Sequence, residues 1–284
     1  MLEMYLLEQL AAVEACGTLS AASEKLHLTQ PSLTRSMQKL EDLLGVKLFE
    51  RKKNRIYLNE NGKLAAECAR RVLDEEQAMI RRVRAFDRSR RTLVIGTIAP
   101  GPIMELSPLL SGHFSDLTLS TEVRDEETLL RGLKEGVYQW IILNHRMEEG
   151  DIRCHPCGSE RLYVSLSPNH AMAGGENVRF ADMNGESFLM VNEVGFWDAI
   201  VRANMPDSRF LMQDDASALN ELILSSTLPS FATDVTLRVY DGLEDRVYLP
   251  ITDAAALTHY YCCCNVNEEM KYLTWFQLLA RRYE

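Results

Sequence analysis

The sequence predicts a multidomain protein: an N-terminal winged helix-turn-helix (helices with a β-hairpin wing), a long linker helix and a C-terminal α/β domain of two subdomains. Three observations support this fold class. The chain has 284 residues, more than one hydrophobic core usually organises. Basic residues concentrate towards its N-terminal third. After residue 91 the hydrophobic pattern changes from helical spacing to strands that alternate with helices.

The composition limits the class of protein. Hydrophobic residues make up 46% of the chain and charged residues 25%, as in ordinary soluble globular proteins. No apolar run approaches the roughly 20 residues of a membrane helix. Residues 1–20 carry Glu3, Glu8 and Glu14 and lack the basic-then-apolar order of a signal peptide. We therefore expect a cytoplasmic protein with no membrane partner.

The charge distribution favours a nucleic-acid partner, although the net charge of −10 alone does not. Residues 1–91 contain 17 basic and 13 acidic side chains, and residues 92–284 contain 14 and 28. Between Gln30 and Arg55 there are seven basic residues against three acidic ones. Because contact with phosphates needs positive charge only locally, this segment is a candidate DNA-binding surface.

The first 45 residues have the pattern of three short helices. Residues 3–15 and Ala21 to about Leu26 form the first two, and Thr29 caps a third that ends at Gly45. We expect the third helix to bury the apolar residues Leu33, Met37, Leu40, Leu43 and Leu44. Its other face carries Gln30, Pro31, Ser32, Thr34, Arg35, Gln38 and Lys39, with the proline in the first turn. This arrangement is typical of a recognition helix.

A basic hairpin and a long helix follow. Two alternating runs, 46–51 and 55–58, flank a polar turn and predict a β-hairpin wing with the basic residues Arg51, Lys52, Lys53 and Arg55. Residues 61–90 predict a linker helix whose narrow apolar seam is typical of a two-stranded coiled coil. The seam, through which we expect dimerisation, consists of Leu64, Cys68, Val72, Met79, Val83 and Phe86. The alternative is a helix packed on its own body.

Strands and helices alternate in the rest of the chain. The predicted strands are 92–97, 117–123, 138–143, 160–167, 187–191, 209–213, 228–232 and 258–264; the predicted helices are 103–114, 125–135, 196–204, 215–225 and 267–283. The expected domains are 1–60, 61–90 and 91–284, the last divided into subdomain I (about 91–160 and 258–284) and subdomain II (about 161–257). Parallel sheets of this kind place a ligand crevice at the carboxyl ends of their strands.

The N-terminal residues also resemble a known family. The matching positions are Ala21-Ala22, Leu26, Gln30-Pro31-Ser32, Thr34, Leu40-Glu41, Leu44-Gly45, Leu48-Phe49, Arg51, Leu58 and Gly62. They resemble the signature of the LysR-type transcriptional regulators. Leu93 to Gly96, Leu106, Pro108 to Leu110 and Phe114 are similar to the start of the family's periplasmic-binding-protein-like effector domain. The resemblance implies that the chain binds double-stranded DNA, a small-molecule effector and RNA polymerase, and that it associates with itself as a dimer or tetramer. We expect neither catalytic activity nor a cofactor.

Three positions depart from the family pattern. Asn59 stands where Thr is usual before the linker helix, and it caps a helix equally well. Gln139 stands where Asp is common. The loop from Thr97 to Pro102 is poor in the hydroxyls with which many relatives bind a ligand carboxylate. This last departure argues against an anionic effector.

The candidate site residues divide between DNA and effector. Gln30 and Arg35 are the best candidates for reading base edges, because Gln pairs with adenine and Arg with guanine. Ser32, Thr34, Gln38 and Lys39 are candidates for phosphates or thymine methyl groups, and the wing residues for phosphates or a minor groove. By resemblance, the residues expected to line the effector crevice are Thr97, Pro100, Gly101, Asn144, Arg146, Asn192, Glu193, Ser230 and Phe231.

Two other hypotheses remain open. The first is a redox-responsive regulator that uses Cys154 and Cys157. It is disfavoured because cysteines in a chain without an export signal are expected to be reduced. A metal site is not expected, because zinc needs four ligands and one Cys-x-x-Cys pair supplies two. The other is a solute-binding or enzymatic α/β protein, against which no catalytic motif is visible.

Overall fold

A computed structural model describes residues 1–52, 55–147 and 150–283. The chain divides into two compact units, Met1–Val83 and Arg84–Glu284. None of the described helices is long and apolar enough to cross a membrane.

The N-terminal unit confirms the three helices and the hairpin. Its elements are α1 (Met4–Cys16), α2 (Leu19–Lys25), α3 (Gln30–Leu44), β1 (Phe49–Lys52), β2 (Arg55–Leu58) and the helix α4 (Glu60–Ser89), which continues beyond the unit. The Thr29 hydroxyl accepts a hydrogen bond from the Ser32 N–H at 3.3 Å and so caps α3. Gly45 ends this helix with a φ of 70°, a left-handed conformation that glycine adopts without strain.

The core of this unit differs from expectation at one end of α3. Leu33, Met37 and Leu40 are buried among side chains of α1 and α2, as expected. Leu43 and Leu44 are 44% and 43% exposed, so their expected burial is wrong. The buried stripe ends at Leu40 and Glu41, and the last turn of α3 is exposed.

One face of helix α4 packs against the N-terminal unit, and another face is exposed. Ala66 and Ala69 are buried against the helix-turn-helix core. All six residues of the predicted seam are exposed in the single chain, with Val72 at 46% and Val83 at 64%. The seam is thus an exposed, largely apolar stripe along a long helix.

The C-terminal unit is a two-part α/β structure. Its strands are β3 (Thr92–Thr97), β4 (Thr118–Val123), β5 (Trp140–Leu143), β6 (Ile152–Leu166), β7 (Ser187–Val191), β8 (Arg209–Gln213), β9 (Ser230–Thr233), β10 (Val247–Pro250) and β11 (Leu257–Asn265). Its helices are α5 (Gly101–His113), α6 (Glu126–Lys134), α7 (Phe180–Met183), α8 (Trp197–Asn204), α9 (Ala216–Ser225), α10 (Asp234–Tyr240), α11 (Val266–Glu269) and α12 (Leu273–Tyr283).

One sheet joins the two parts, which carry separate hydrophobic cores. The strand order is β4-β3-β5-β11-β6-β9-β7-β8, with β10 paired to β6. Strand β3 pairs in parallel with β4 and β5, and β7 pairs in parallel with β8 and β9, as the alternating pattern predicts. The long antiparallel strands β6 and β11 pair with each other and connect the parts.

The cysteines require a correction. Cys154 forms a disulfide with Cys263, which lies directly opposite on β11 with a Cα–Cα distance of 4.2 Å. The expectation of reduced thiols is therefore wrong for these two residues. Cys157, the other cysteine of the redox alternative, is not bonded to Cys154, because residues three apart in a strand face opposite sides of a sheet. Cys157 instead lies in the core that contains Cys262 and Cys264.

Candidate nucleic-acid interface and ligand cavities

The first two turns of α3 form an exposed polar surface. Gln30, Thr34, Arg35 and Gln38 are all exposed, whereas Ser32 is half-buried. The Thr34 hydroxyl donates to the Gln30 carbonyl oxygen at 2.8 Å, and Arg35 Nε donates to the Pro31 carbonyl oxygen at 3.3 Å. These local hydrogen bonds hold the side chains beside the N-terminus of the helix, where the helix dipole attracts negative charge.

The ammonium of Lys39 is held by two side chains near the start of the chain. It lies 3.0 Å from the Glu3 carboxylate and 3.3 Å from the Tyr5 hydroxyl. The hydrogen bond with Glu3 raises the pKa of Lys39 and lowers the pKa of Glu3. The positive charge of Lys39 is therefore partly neutralised within the N-terminal unit.

Glu41 positions the hairpin against α3, a role that sequence reasoning missed. Its buried carboxylate accepts hydrogen bonds from the Leu48 N–H and the Lys47 ammonium, both at 2.8 Å, and from the Phe49 N–H at 3.3 Å. Burial favours the neutral carboxyl, yet these hydrogen bonds outweigh it and hold the pKa of Glu41 below its usual value. A charged residue on a helix is ordinarily predicted to be exposed to solvent. The helical spacing of the sequence therefore did not predict the burial of Glu41.

The hairpin itself is formed as expected. Its strands pair antiparallel, with Phe49 opposite Leu58 and Lys52 opposite Arg55. Lys53, at the predicted tip of the wing, lies outside the described residues. The structure thus places Arg51, Lys52 and Arg55 on the hairpin strands.

A cavity of about 720 Å³ lies between the two parts of the C-terminal unit. Three of the predicted effector residues line it: Asn144, Asn192 and Glu193. Gly195, which also lines the cavity, has a φ of +66° and lies so close to Ile98 that a Cβ there would be 2.0 Å from the Ile98 carbonyl oxygen. The Phe196 N–H donates to the same oxygen at 3.2 Å. We call this space the crevice.

The crevice also contains charged residues that were not predicted. Arg124 pairs with Glu122 at 3.3 Å, and Arg202 pairs with Asp198 at 2.8 Å. Arg124 and Asp125 follow the carboxyl end of β4, so the rule that places ligands at strand ends could have found them. Every arginine of the crevice thus has an acidic partner within the described residues.

A second cavity, of about 460 Å³, lies in the same unit beneath α9 and α10. Pro100, Gly101, Ser230 and Phe231 line it, and Glu193 borders both cavities. We call this space the apolar cavity.

The remaining two effector candidates line neither space. The buried Thr97 hydroxyl donates to the Ala99 carbonyl oxygen at 2.7 Å. The Arg146 guanidinium lies 5.2 Å from the centre of the Tyr261 ring. The set expected to meet in one crevice is therefore divided between two cavities. Within the described residues, no group of three or more His, Cys, Asp or Glu side chains is arranged to hold a metal ion.

Two family models match the chain. Residues 4–63 match the bacterial regulatory helix-turn-helix protein of the lysR family, and residues 87–282 match the LysR substrate binding domain.

Curated relatives match over part of the chain. A hydrogen peroxide-inducible genes activator of Dickeya chrysanthemi is 28% identical over 191 residues, which cover 66% of this chain and 63% of the relative. The HTH-type transcriptional regulator CfxR of Cupriavidus necator is 28% identical over 174 residues, which cover 60% of this chain and 54% of the relative. The chain thus spans less than two-thirds of the length of these relatives.

Solved structures show the same fold. A full-length OxyR variant from Pseudomonas aeruginosa has a TM-score of 0.55 at 20% identity and covers 99% of this chain and 94% of its own. Full-length BenM has a TM-score of 0.53 at 20% identity, with coverages of 99% and 96%. Full-length CbnR, solved in complex with its target DNA, has a TM-score of 0.50 at 23% identity, with coverages of 99% and 99%.

A helix-turn-helix unit followed by an α/β substrate-binding unit defines a bacterial regulatory protein rather than an enzyme. The chain belongs to the lysR family, as its N-terminal residues suggest.

Proposed function

We propose that the chain is a sequence-specific DNA-binding transcriptional regulator whose C-terminal unit senses a small molecule. The observation that carries this proposal is the exposed polar surface of α3, held by a capped N-terminus and backed by a separate apolar core. The names of the relatives, a genes activator and a transcriptional regulator, support it. So does the complex of CbnR with its target DNA.

The proposed DNA contacts divide into two kinds. Gln30 and Arg35 read base edges, while Pro31, Ser32, Thr34 and Gln38 place the helix tip against phosphates or thymine methyl groups. Lys39 joins them only if DNA competes with Glu3 for its ammonium. The wing residues Arg51, Lys52, Lys53 and Arg55 contact phosphates or a minor groove.

A dimer or tetramer would form through the exposed seam of α4. The expected domains 1–60, 61–90 and 91–284 would then act as DNA-binding head, dimerisation helix and sensor. An effector bound in the crevice changes how far the two parts of the sensor close, and with it the spacing of the DNA-binding heads. The protein would act in the cytoplasm and contact RNA polymerase.

Selection of bound duplexes from a pool of random-sequence DNA tests the regulator proposal. The full chain should enrich a motif with two related half-sites, since a symmetric dimer presents two recognition helices. It should bind that duplex about a thousandfold more tightly than a scrambled duplex of the same length. A pool that stays random through successive rounds contradicts sequence-specific binding.

The disulfide favours a second candidate function, a redox-responsive regulator. Cys154 and Cys263, rather than Cys154 and Cys157, would be its switch. The two thiols would give up two electrons and two protons to hydrogen peroxide, which leaves one disulfide and two molecules of water. The name of the peroxide-inducible relative supports this candidate.

Thiol counting before and after peroxide treatment tests the redox candidate, together with the affinity for the selected duplex in each state. Peroxide should remove two thiols and change the affinity of the wild-type protein. The double change Cys154→Ser and Cys263→Ser should abolish both responses, whereas Cys157→Ser should keep them. A DNA affinity that is independent of peroxide rejects the candidate and leaves the regulator proposal intact.

A further inference from the structure

The apolar cavity has the form of a ligand site. Its volume of about 460 Å³ lies in the range of small-molecule sites, which are lined mainly by apolar side chains with a few placed polar groups. Its lining residues come mainly from strands β6, β7 and β9 and from helices α5, α8, α9 and α10. Its apolar lining includes Leu162, Met190, Leu219, Ile223, Phe231 and Leu237.

A buried carboxyl group, Glu160, lies in the wall of this cavity. Glu160 is 2% exposed. The Tyr260 hydroxyl donates to its Oε2 at 2.5 Å, and Trp197 Nε1 donates to the same oxygen at 3.2 Å. A Cβ at Gly101 would lie 2.4 Å from Oε1, so the backbone of α5 leaves room for the carboxyl and nothing larger. Three elements therefore fix the position of Glu160 in the wall of the cavity.

The charges around this cavity disfavour an anion. Its described lining residues include the carboxyls of Glu160 and Glu193 but no Lys, Arg or His. The nearby Arg246 donates instead to the Ser165, Ser226 and Leu228 carbonyl oxygens and does not line the cavity. An anion transferred from water into such surroundings finds no counter-charge to offset its desolvation.

A ligand that donates a hydrogen bond would instead add to the hydrogen bonds that the buried carboxyl already accepts. Burial raises the pKa of Glu160, and the hydrogen bonds from Thr233, Tyr260 and Trp197 offset this only in part. An amine would supply the positive charge that the carboxylate lacks, and a hydroxyl would supply a donor. Both groups suit a buried carboxyl, whereas a ligand carboxylate would be repelled.

We propose that the apolar cavity is a ligand site distinct from the crevice, for an apolar small molecule that carries an N–H or O–H donor and no negative charge. The donor binds Glu160, and the hydrocarbon part packs against α9 and α10. The proposal concerns binding alone and does not rest on the DNA-binding role. Its test therefore uses no DNA.

Three probes with one hydrocarbon frame test the proposal: 4-phenylbutylamine, 4-phenylbutan-1-ol and 4-phenylbutyrate. We expect isothermal titration of the full chain to show binding of the amine and the alcohol, and binding at least about tenfold weaker for the carboxylate. A carboxylate that binds as tightly as the amine overturns the proposal. So does the absence of binding heat for all three probes at about 1 mM, the weak end of specific affinity.

Matched variants locate the site. Leu219→Trp fills the cavity and should abolish binding of the amine and the alcohol, whereas Leu224→Trp, on the same helix but outside the cavity, should not. Asn144→Leu, in the crevice, should also leave binding unchanged. Glu160→Gln should weaken the amine about tenfold and the alcohol less, since the amide keeps an acceptor but loses the charge. Unchanged amine binding by Leu219→Trp overturns the proposal even if Glu160→Gln fails to fold.

Discussion

The α3 surface of the first unit and the apolar cavity of the second place their candidate functional residues at different depths. In Met1–Val83, Gln30 and Arg35 are exposed, and the core lies on the other side of α3. In Arg84–Glu284, Glu160 is buried and held by side chains of two other elements. A surface site tolerates substitution without loss of fold, whereas an interior site is part of what keeps the sheet and helices together. Binding and stability should therefore be separable in the first unit and coupled in the second.

The seam of α4 is a surface feature for which we expect the largest effect. Val72→Asp and Val83→Asp together place charges in an apolar interface on both helices, and burial of unpaired charges is costly. The dimer should weaken by roughly 3 kcal/mol or more, which is over a hundredfold in dissociation constant. Light scattering over a range of concentrations measures the change.

A matched change checks the specificity of that effect. Gln77→Asp alters the same helix at an exposed position outside the seam and should leave the mass unchanged. An unaltered oligomer in the double variant would remove the seam from consideration. Dissociation caused equally by Gln77→Asp would point to loss of helix instead.

Gly195→Val tests whether a contact in the crevice contributes to the stability of the second unit. A side chain there meets the Ile98 carbonyl oxygen and also requires a left-handed backbone. We expect a loss of roughly 2–4 kcal/mol in the free energy of unfolding of this unit. The emission of Trp140, Trp197 and Trp275 reports on it, since all three lie in the C-terminal unit.

The control for Gly195 is another glycine. Gly174→Val, where a Cβ would meet nothing within 4 Å, should change the free energy of unfolding little. Affinity for non-specific DNA should stay the same in both variants, because the helix-turn-helix is unaltered. A stable Gly195→Val protein would mean that the crevice does not depend on this contact.

Glu41 is the exception within the first unit, because it is buried and charged. Glu41→Gln should weaken the attachment of the hairpin by roughly 1–3 kcal/mol at neutral pH. Hydrogen exchange of the Leu48 amide measures this, since that N–H donates to Glu41. Asp42→Asn, at the exposed neighbouring position, should leave the exchange of Leu48 unchanged.

The difference in Leu48 protection between wild type and Glu41→Gln should depend on pH. Because the folded pKa of Glu41 is lowered, its stabilisation is present above the ordinary carboxyl value of 4.5 and is lost as the pH falls through the folded value. The difference in Leu48 protection between wild type and Glu41→Gln should therefore shrink below pH 4.5. A difference that stays constant into acid would mean that the charge of Glu41 does not hold the hairpin.

The sequence predicts the first unit better than the second for physical reasons. Thr29 and Gly45 mark the ends of α3 by local chemistry, so the helix is found to the residue. Strand β6 begins at Ile152 rather than at the predicted residue 160. The polar residues Arg153 and His155 interrupt the apolar pattern of this segment, so the strand could not be predicted from it, and its pairing with β11 stabilises it. Helix α10 was also missed, although Thr233 caps it.

The candidate sites also differ in how well the sequence predicts them, with the α3 surface predicted better than the cavities. Periodicity predicts which side chains of α3 are exposed, because exposure on a helix is a local property. It cannot show that Glu160 meets Tyr260, which lies 100 residues away in sequence. Nor can it divide the predicted effector residues between two cavities, since that depends on how α9 and α10 pack over the sheet.

Base reading by the first turns of α3 is tested most directly by the affinity of Arg35→Ala for a selected duplex and for its scrambled counterpart, at several salt concentrations. The variant should lose roughly 1–3 kcal/mol on the selected duplex and much less on the scrambled one. Lys52→Ala on the wing should weaken both duplexes alike and lower the salt slope by about 1. Arg70→Ala, which removes the partner of Glu14 on α1, should change neither. Equal weakening of both duplexes by Arg35→Ala would contradict base reading at this position, and unchanged binding in all three variants would contradict DNA recognition by this unit.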